Sequence, residues 1–178
     1  MIDILLLIRI ASLFIFICTI IIGLSLLWPI IVRGAPWTPT PQETVRKMLE
    51  LADVSQDDTV VDLGSGDGRI IIMAAKEFGA RAIGIEVDPS RILWSRWNVQ
   101  RSGMQEKVQV VKGNFFDLDL SGATVVTVFQ RIGTNNRLKA KLISELKPGT
   151  RIVSYIHLFE GWSPVVAVED SKIYLYMS

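Results

Sequence analysis

Three glycines, Gly64, Gly66 and Gly68, stand between the apolar run Thr59-Val60-Val61-Asp62-Leu63 and a second apolar run that opens at Ile70. The first run is β-branched and short, as in a buried strand; residues 70–78 read as a helix. A strand that passes straight into a helix through a glycine-rich turn opens a βαβ unit, which requires parallel neighbours and helices to cover the sheet. The chain supplies both. Strands are predicted over 81–86, 108–112, 124–129 and 150–156, and helices over 89–102 and 136–146. An earlier helix runs to about residue 52, with Thr40 as N-cap, Pro41 at the first position and Glu43 at the third, and with Val45, Met48, Leu49 and Ala52 at helical spacing. Segments 165–169 and 172–177 read as a hairpin across Asp170-Ser171. The predicted class is an α/β, Rossmann-like sheet with an antiparallel C-terminal hairpin. Only eleven residues, 113–123, join the third and fourth strands, so a compact loop is expected there.

Ahead of this domain, residues 10–32 form 23 consecutive residues without a charge. At a rise of about 1.5 Å per residue, that length crosses a hydrocarbon layer of about 30 Å, and the segment reads as a transmembrane helix. A cleaved signal peptide would have a shorter apolar core and a small-residue cleavage site, and neither is present. Arg33, Arg46 and Lys47 follow the span, against Arg9 before it, which favours a cytoplasmic, or mitochondrial-matrix, C-terminal domain. Three prolines in residues 36–41 then enforce an extended path. The predicted organisation is an anchor over 1–33, a Pro-rich lead-in over 34–41 and a folded domain over 42–178.

Charge excludes several functions. The chain carries 19 Lys and Arg against 18 Asp and Glu; without Asp3, Arg9 and Arg33 the domain has 17 of each. A balanced domain is a poor partner for DNA or RNA. The single cysteine, Cys18, lies in the apolar run, and His157 is the only histidine, so neither a disulfide nor a Cys- or His-rich metal site is expected. His157 reads as structural before it reads as a general base. Trp94 and Trp97, set among Arg91, Arg96 and Arg101, suggest either helix packing or a second membrane contact.

The turn itself narrows the ligand. Its glycines let the backbone bring a ligand against N–H groups at a helix N-terminus. The spacing is G-x-G-x-G, whereas dinucleotide folds use G-x-G-x-x-G. Asp62 and Asp67 would repel a pyrophosphate, yet Asp62 suits a ligand with an ammonium group. Glu86 ends the second strand, 20 residues beyond Gly66, where a carboxylate accepts the hydroxyls of a ribose. Asn114 follows the third strand with an amide suited to an adenine edge, and Phe115 is available to pack on the ring. The plain alternatives are a solvated strand end, a turn residue and a core aromatic, respectively.

These segments resemble a class I S-adenosylmethionine (SAM)-dependent methyltransferase. PWTPTP (36–41), VDLGSGDGRIII (61–72), GIEVD (84–88), VVKGNFF (110–116) and LKPGTRIVS (146–154) are similar to the archaeal broad-specificity protein-lysine methyltransferases and to the membrane-anchored mitochondrial enzymes that methylate lysines of the ATP synthase and of the adenine nucleotide translocase. The resemblance covers roughly residues 35–178. It implies a seven-stranded sheet with an antiparallel last strand, SAM at the carboxyl ends of the strands, and methylation of a lysine ε-amino group. The cofactor set it points to is Thr40, Asp62, Gly64, Ser65, Gly66, Gly68, Glu86, Asn114 and Phe115. Thr127, Phe129 and Gln130, at the end of the fourth strand, and Trp37, from the lead-in, are the acceptor-side candidates, with no obligatory base and no metal. The expected function is a membrane-anchored protein-lysine methyltransferase acting on membrane-associated proteins. A methyltransferase for a membrane lipid or quinone-like molecule is the alternative enzyme. A catalytically silent SAM-binding regulatory module is a further reading, prompted by the divergence of residues 128–133.

Overall fold

The computed structural model describes residues 4–31 and 38–178. The chain divides into two compact units, Met1–Thr38 and Pro39–Ser178.

Among the described residues, the first unit holds one helix, α1 (Ile4–Ile31). It starts ahead of the uncharged run and takes in Arg9. Its window Leu7–Ser25 has a mean hydropathy of 2.6 and is long and apolar enough to cross a membrane. The hydroxyls of Ser12, Thr19 and Ser25 donate to the carbonyls of Ile8, Phe16 and Ile22 at 2.7–2.8 Å, so these polar atoms of an apolar helix are satisfied within it.

The second unit is a seven-stranded sheet covered by helices. In chain order its elements are α2 (Gln42–Leu51), β1 (Thr59–Leu63), α3 (Arg69–Phe78), β2 (Arg81–Glu86), α4 (Pro89–Ser102), β3 (Val108–Lys112), β4 (Val125–Val128), α5 (Ile132–Glu145), β5 (Arg151–Tyr155), β6 (Val166–Val168) and β7 (Ile173–Met177). The strand order is β3-β2-β1-β4-β5-β7-β6. The first five strands are parallel; β7 runs antiparallel to both β5 and β6. This is the predicted Rossmann-like sheet with its terminal hairpin. Both faces of β1 are buried: Val60 joins Val45, Met48, Leu49 and Ile71 in one core, while Val61 and Leu63 join Val126, Leu138 and Leu142 in the other.

Several details differ from the sequence reading, most by a residue or two at an element's end. Helix α2 starts one residue later, with Pro41 in place of Thr40 as its cap and no side-chain capping bond; the Thr40 carbonyl accepts from Arg69 instead. Strand β4 is only four residues long. Helix α5 begins at Ile132 rather than at 136. Gly133 is tolerated in its first turn, where backbone N–H groups lack helical partners in any case. The hairpin turn is a 3₁₀ segment, Glu169–Ser171, that closes with Lys172 at φ 52°. The 113–123 connection forms turns and no helix, as expected.

Because β1 lies at the centre and the strand order reverses beside it, the carboxyl ends of β1, β2 and β4 meet at the topological switch point where open α/β sheets bind ligands.

Candidate active site

The turn after β1 is fastened to the end of β2. The N–H groups of Gly64 and Ser65 both donate to the Ile85 carbonyl, at 2.9 and 3.0 Å, and that of Gly66 donates to Glu86 Oε2 at 3.0 Å. All three glycines are left-handed, with φ of 91°, 56° and 83°, a region in which a side chain is strained. Space is closed as well. A Cβ on Gly64 would lie 2.4 Å from Gln130 Nε2, and one on Gly68 would lie 2.4 Å from Ser95 Oγ. Gly68 caps α3 without a side chain, leaving the helix N-terminus lined by backbone.

Three carboxylates crowd beneath and beside this turn. Asp62, Asp67 and Glu86 are all buried. The Asp67 carboxylate is held by Arg69, with Nη2 at 2.6 Å and Nε at 2.9 Å, and Arg69 Nη1 reaches the Thr40 carbonyl at 2.7 Å. This one guanidinium therefore ties the start of α2 to the turn. Glu86 accepts from three backbone N–H groups, those of Gly66, Val87 and Asp88. Among the described residues, Asp62 has no cation beside it. Its carboxyl is pushed up to about 7, chiefly by burial, against a hydrogen bond from Thr127 that lowers it and with the neighbouring Glu86 and Asp67 carboxylates adding to the rise.

Around the mouth the predicted residues separate into groups. Gln130 lies over Gly64 and donates from Nε2 to the Leu63 carbonyl at 3.0 Å. Phe129 is half-buried, its ring 4.8 Å from that of Tyr155 at the end of β5. Asn114 accepts the Phe116 N–H at 3.1 Å through Oδ1, which leaves its amide N–H groups for a ligand. Phe115 is half-buried against the second core, its ring 4.8 Å from that of Phe116 and tilted to it by 48°, so it is a core aromatic as well as a candidate platform. Thr127 requires a correction. It is fully buried and its hydroxyl serves Asp62, so it supports the carboxylate from below and does not face an acceptor. Trp37 lies outside the described residues.

Several contributors were missed by the sequence reading. Asn98 Nδ2 donates to the Asp67 carbonyl at 2.9 Å, holding the turn from α4. Tyr155 enters because β5 pairs with β4, a fact of sheet order. Its neighbour Ile156 sits at φ 67°, a strained geometry for a β-branched residue, just beyond the carboxyl edge of β5. His157 is half-buried; its carbonyl accepts from Asn135 at 2.9 Å, a structural role for its backbone.

The ANTKMT methyltransferase domain matches residues 62–166, from Asp62 into the start of β6. The chain belongs to this methyltransferase family. It is 50% identical over 153 residues to a protein-lysine N-methyltransferase of Saccharolobus islandicus, covering 82% of this chain and 95% of that one. It is 36% identical over 136 residues to the adenine nucleotide translocase lysine N-methyltransferase of Mus musculus, spanning 76% of this chain and 58% of the mouse protein. Among solved structures, an RNA methyltransferase from Salinibacter ruber in complex with S-adenosyl-L-homocysteine superposes with a TM-score of 0.76 at 42% identity, over 79% of this chain and 93% of that one.

The family uses SAM, and the residues here fit it. The turn carries no Cβ at Gly64, Gly66 or Gly68, and the Gln130 and Ser95 side chains fill the Cβ positions of Gly64 and Gly68. Asp62 is a buried carboxylate lacking a cation, the partner that an amino-acid ammonium would provide. Ser65 Oγ is buried without a hydrogen-bond partner, and a buried polar atom of this kind calls for one.

Proposed function

We propose that this methyltransferase is a membrane-tethered protein-lysine N-methyltransferase acting on membrane-associated proteins. The observation that carries the reading is the buried Asp62 carboxylate beneath the glycine turn, with the Phe129–Tyr155 aromatic pair beyond it. The 50% identity to an archaeal protein-lysine methyltransferase supports the choice of acceptor, and the apolar length of α1 supports the tether.

In this reading Asp62, Gly64, Ser65, Gly66 and Gly68 hold the amino-acid end of SAM, with Thr40 fastened beside them through Arg69. Glu86 holds the ribose, and Asn114 and Phe115 hold the adenine. When bound, SAM supplies a methyl group already activated for in-line displacement. The protein's task is to hold a neutral amine on the far side at attack distance and to exclude water. A lysine with a solution pKa of about 10.4 costs about 4.6 kcal/mol to deprotonate at pH 7. Phe129 and Tyr155 offer an apolar collar that disfavours the charged ammonium and so lowers that cost. Gln130, whose Nε2 is bonded to the Leu63 carbonyl, would accept a hydrogen bond from the amine N–H through Oε1 and orient it.

The RNA named for the Salinibacter protein fits this chain poorly, since its folded domain carries 17 positive and 17 negative residues. Mass spectrometry of membrane proteins from cells carrying the wild type or Glu86→Ala tests the proposal. A lysine that gains methyl groups only with the wild type supports it. Methylated lipid or RNA with unmodified protein overturns the acceptor.

A further inference from the structure

Helix α4 presents its apolar surface on both sides. Ile92, Ser95 and Val99 point into the domain and are buried. The outward side should then be polar, yet it carries Leu93 at 72% exposure, Trp94 at 42% and Trp97 at 51%. Residues 93, 94 and 97 lie on one helical stripe, and Arg101 continues it a turn further on, its guanidinium 4.5 Å from the centre of the Trp97 ring. Arg96 flanks the stripe on one side; Arg91, on the other, is mostly covered and paired with Asp88 at 3.8 Å. The helix holds three arginines and no acidic residue. In the domain as a whole the charges balance, so this basic, aromatic face is a local concentration.

We propose that the outward face of α4 docks on a bilayer surface bearing anionic headgroups. Indole rings settle at the headgroup level, where the apolar ring and the N–H each find a suitable medium, and leucine reaches the acyl boundary beneath. Arginines interleaved with these rings complement anionic phosphate, as in helices that lie flat on a membrane. Charge complementarity selects this occupant over a second copy of the chain, whose α4 would set Arg96 and Arg101 against the same two arginines. The consequence for the enzyme is orientation. Helix α4 starts three residues beyond Glu86, so its docking would fix the carboxyl edge of the sheet with respect to the membrane and restrict acceptors to side chains presented near that plane. The inference goes beyond the tether reading and rests on it.

The test uses the full chain in vesicles, as wild type and as Trp94→Phe/Trp97→Phe, both of which retain Trp28, Trp37 and Trp162. The difference between their emission spectra isolates the two tryptophans. In vesicles with about 30% brominated phosphatidylglycerol, that component should lose about half its intensity or more, and it should recover in high salt as the surface charge is screened. Equal quenching in brominated phosphatidylcholine alone would overturn the anionic-headgroup assignment. A component unquenched by either lipid would overturn the docking surface. Carbonate extraction reads the tether separately. A chain released into the wash contradicts the tether, whereas a retained chain with unquenched tryptophans contradicts only the α4 surface.

Discussion

Thr127 Oγ1 donates to Asp62 Oδ1 across 2.8 Å from the strand position registered directly opposite it, so β4 supports a buried carboxylate of the site that has no cation beside it among the described residues. The bond favours the ionised form of Asp62 and opposes the effect of burial. A bound ammonium would act in the same direction. SAM binding is therefore expected to release a proton from Asp62 and to tighten as the pH rises through about 7. Calorimetry of the donor's demethylated product in buffers of differing ionisation enthalpy measures both effects. In Thr127→Val the affinity should fall by about 10-fold or more at pH 7, the loss of one hydrogen bond to a charged group at ~1.5–3 kcal/mol, and its pH midpoint should move upward.

The same carboxyl makes a stability prediction of opposite sense. Its folded value of about 7 lies above the ordinary value of 3.8, so the folded state holds the proton more tightly than the unfolded chain. Its contribution is favourable below pH 4 and is lost as the pH rises towards 7, where a bare buried charge must be carried. Asp62→Asn should thus be more stable than the wild type at pH 8, by a few kcal/mol at most, and the difference should shrink towards pH 4. Thermal unfolding without ligand at the two pH values checks this. The variant should bind SAM poorly throughout.

Glu86 serves the backbone before any ligand arrives, and its substitutions should separate the two duties. Glu86→Gln keeps one acceptor oxygen, enough for the Gly66 N–H while the Val87 and Asp88 N–H groups lose theirs, so the fold should survive at a smaller cost than in Glu86→Ala, with SAM affinity reduced. Glu86→Ala leaves three N–H groups without their carboxylate and should also lower stability, by about 1–3 kcal/mol. Denaturant titrations paired with binding isotherms distinguish the two variants.

At Gly64 two constraints coincide, a left-handed φ of 91° and the Gln130 amide 2.4 Å from any Cβ. Gly64→Ala should abolish donor binding. Adding Gln130→Ala removes the clash but not the strained backbone, so the double variant should recover only part of the affinity, with about 1–2 kcal/mol still missing.

Phe129 and Tyr155 should matter for the acceptor and little for the donor. Phe129→Ala and Tyr155→Ala are expected to raise the acceptor KM and lower kcat by about 10- to 100-fold, the range expected when positioning is lost. Donor affinity should stay within a factor of about 3, below 1 kcal/mol. Steady-state kinetics with each substrate varied in turn reads the split.

Much of this site was legible in the sequence because it is local. The glycine turn, Asp62 just before it and Glu86 at the end of the next strand follow from one βαβ unit, whose spacing is fixed by the lengths of strand and helix. The role of Thr127 was not legible in this way, because which face of β4 it occupies depends on register with β1, 65 residues away. Tyr155 needed the order of β4 and β5, and the tie from Arg69 to Thr40 needed the packing of α2 against α3. The early start of α5 was obscured by Gly133, whose low helix propensity matters little in a first turn whose next residues, Thr134 and Asn135, both bond back to the Arg131 carbonyl.

The most direct measurement supplies the purified full chain, in vesicles with candidate membrane proteins, with methyl-tritiated SAM and then separates protein, lipid and nucleic acid. Label recovered as N-methylated lysine after protein hydrolysis, and absent with Glu86→Gln, is the predicted result. Label in the lipid or nucleic-acid fraction, or none anywhere although the chain demonstrably holds SAM, would contradict the account.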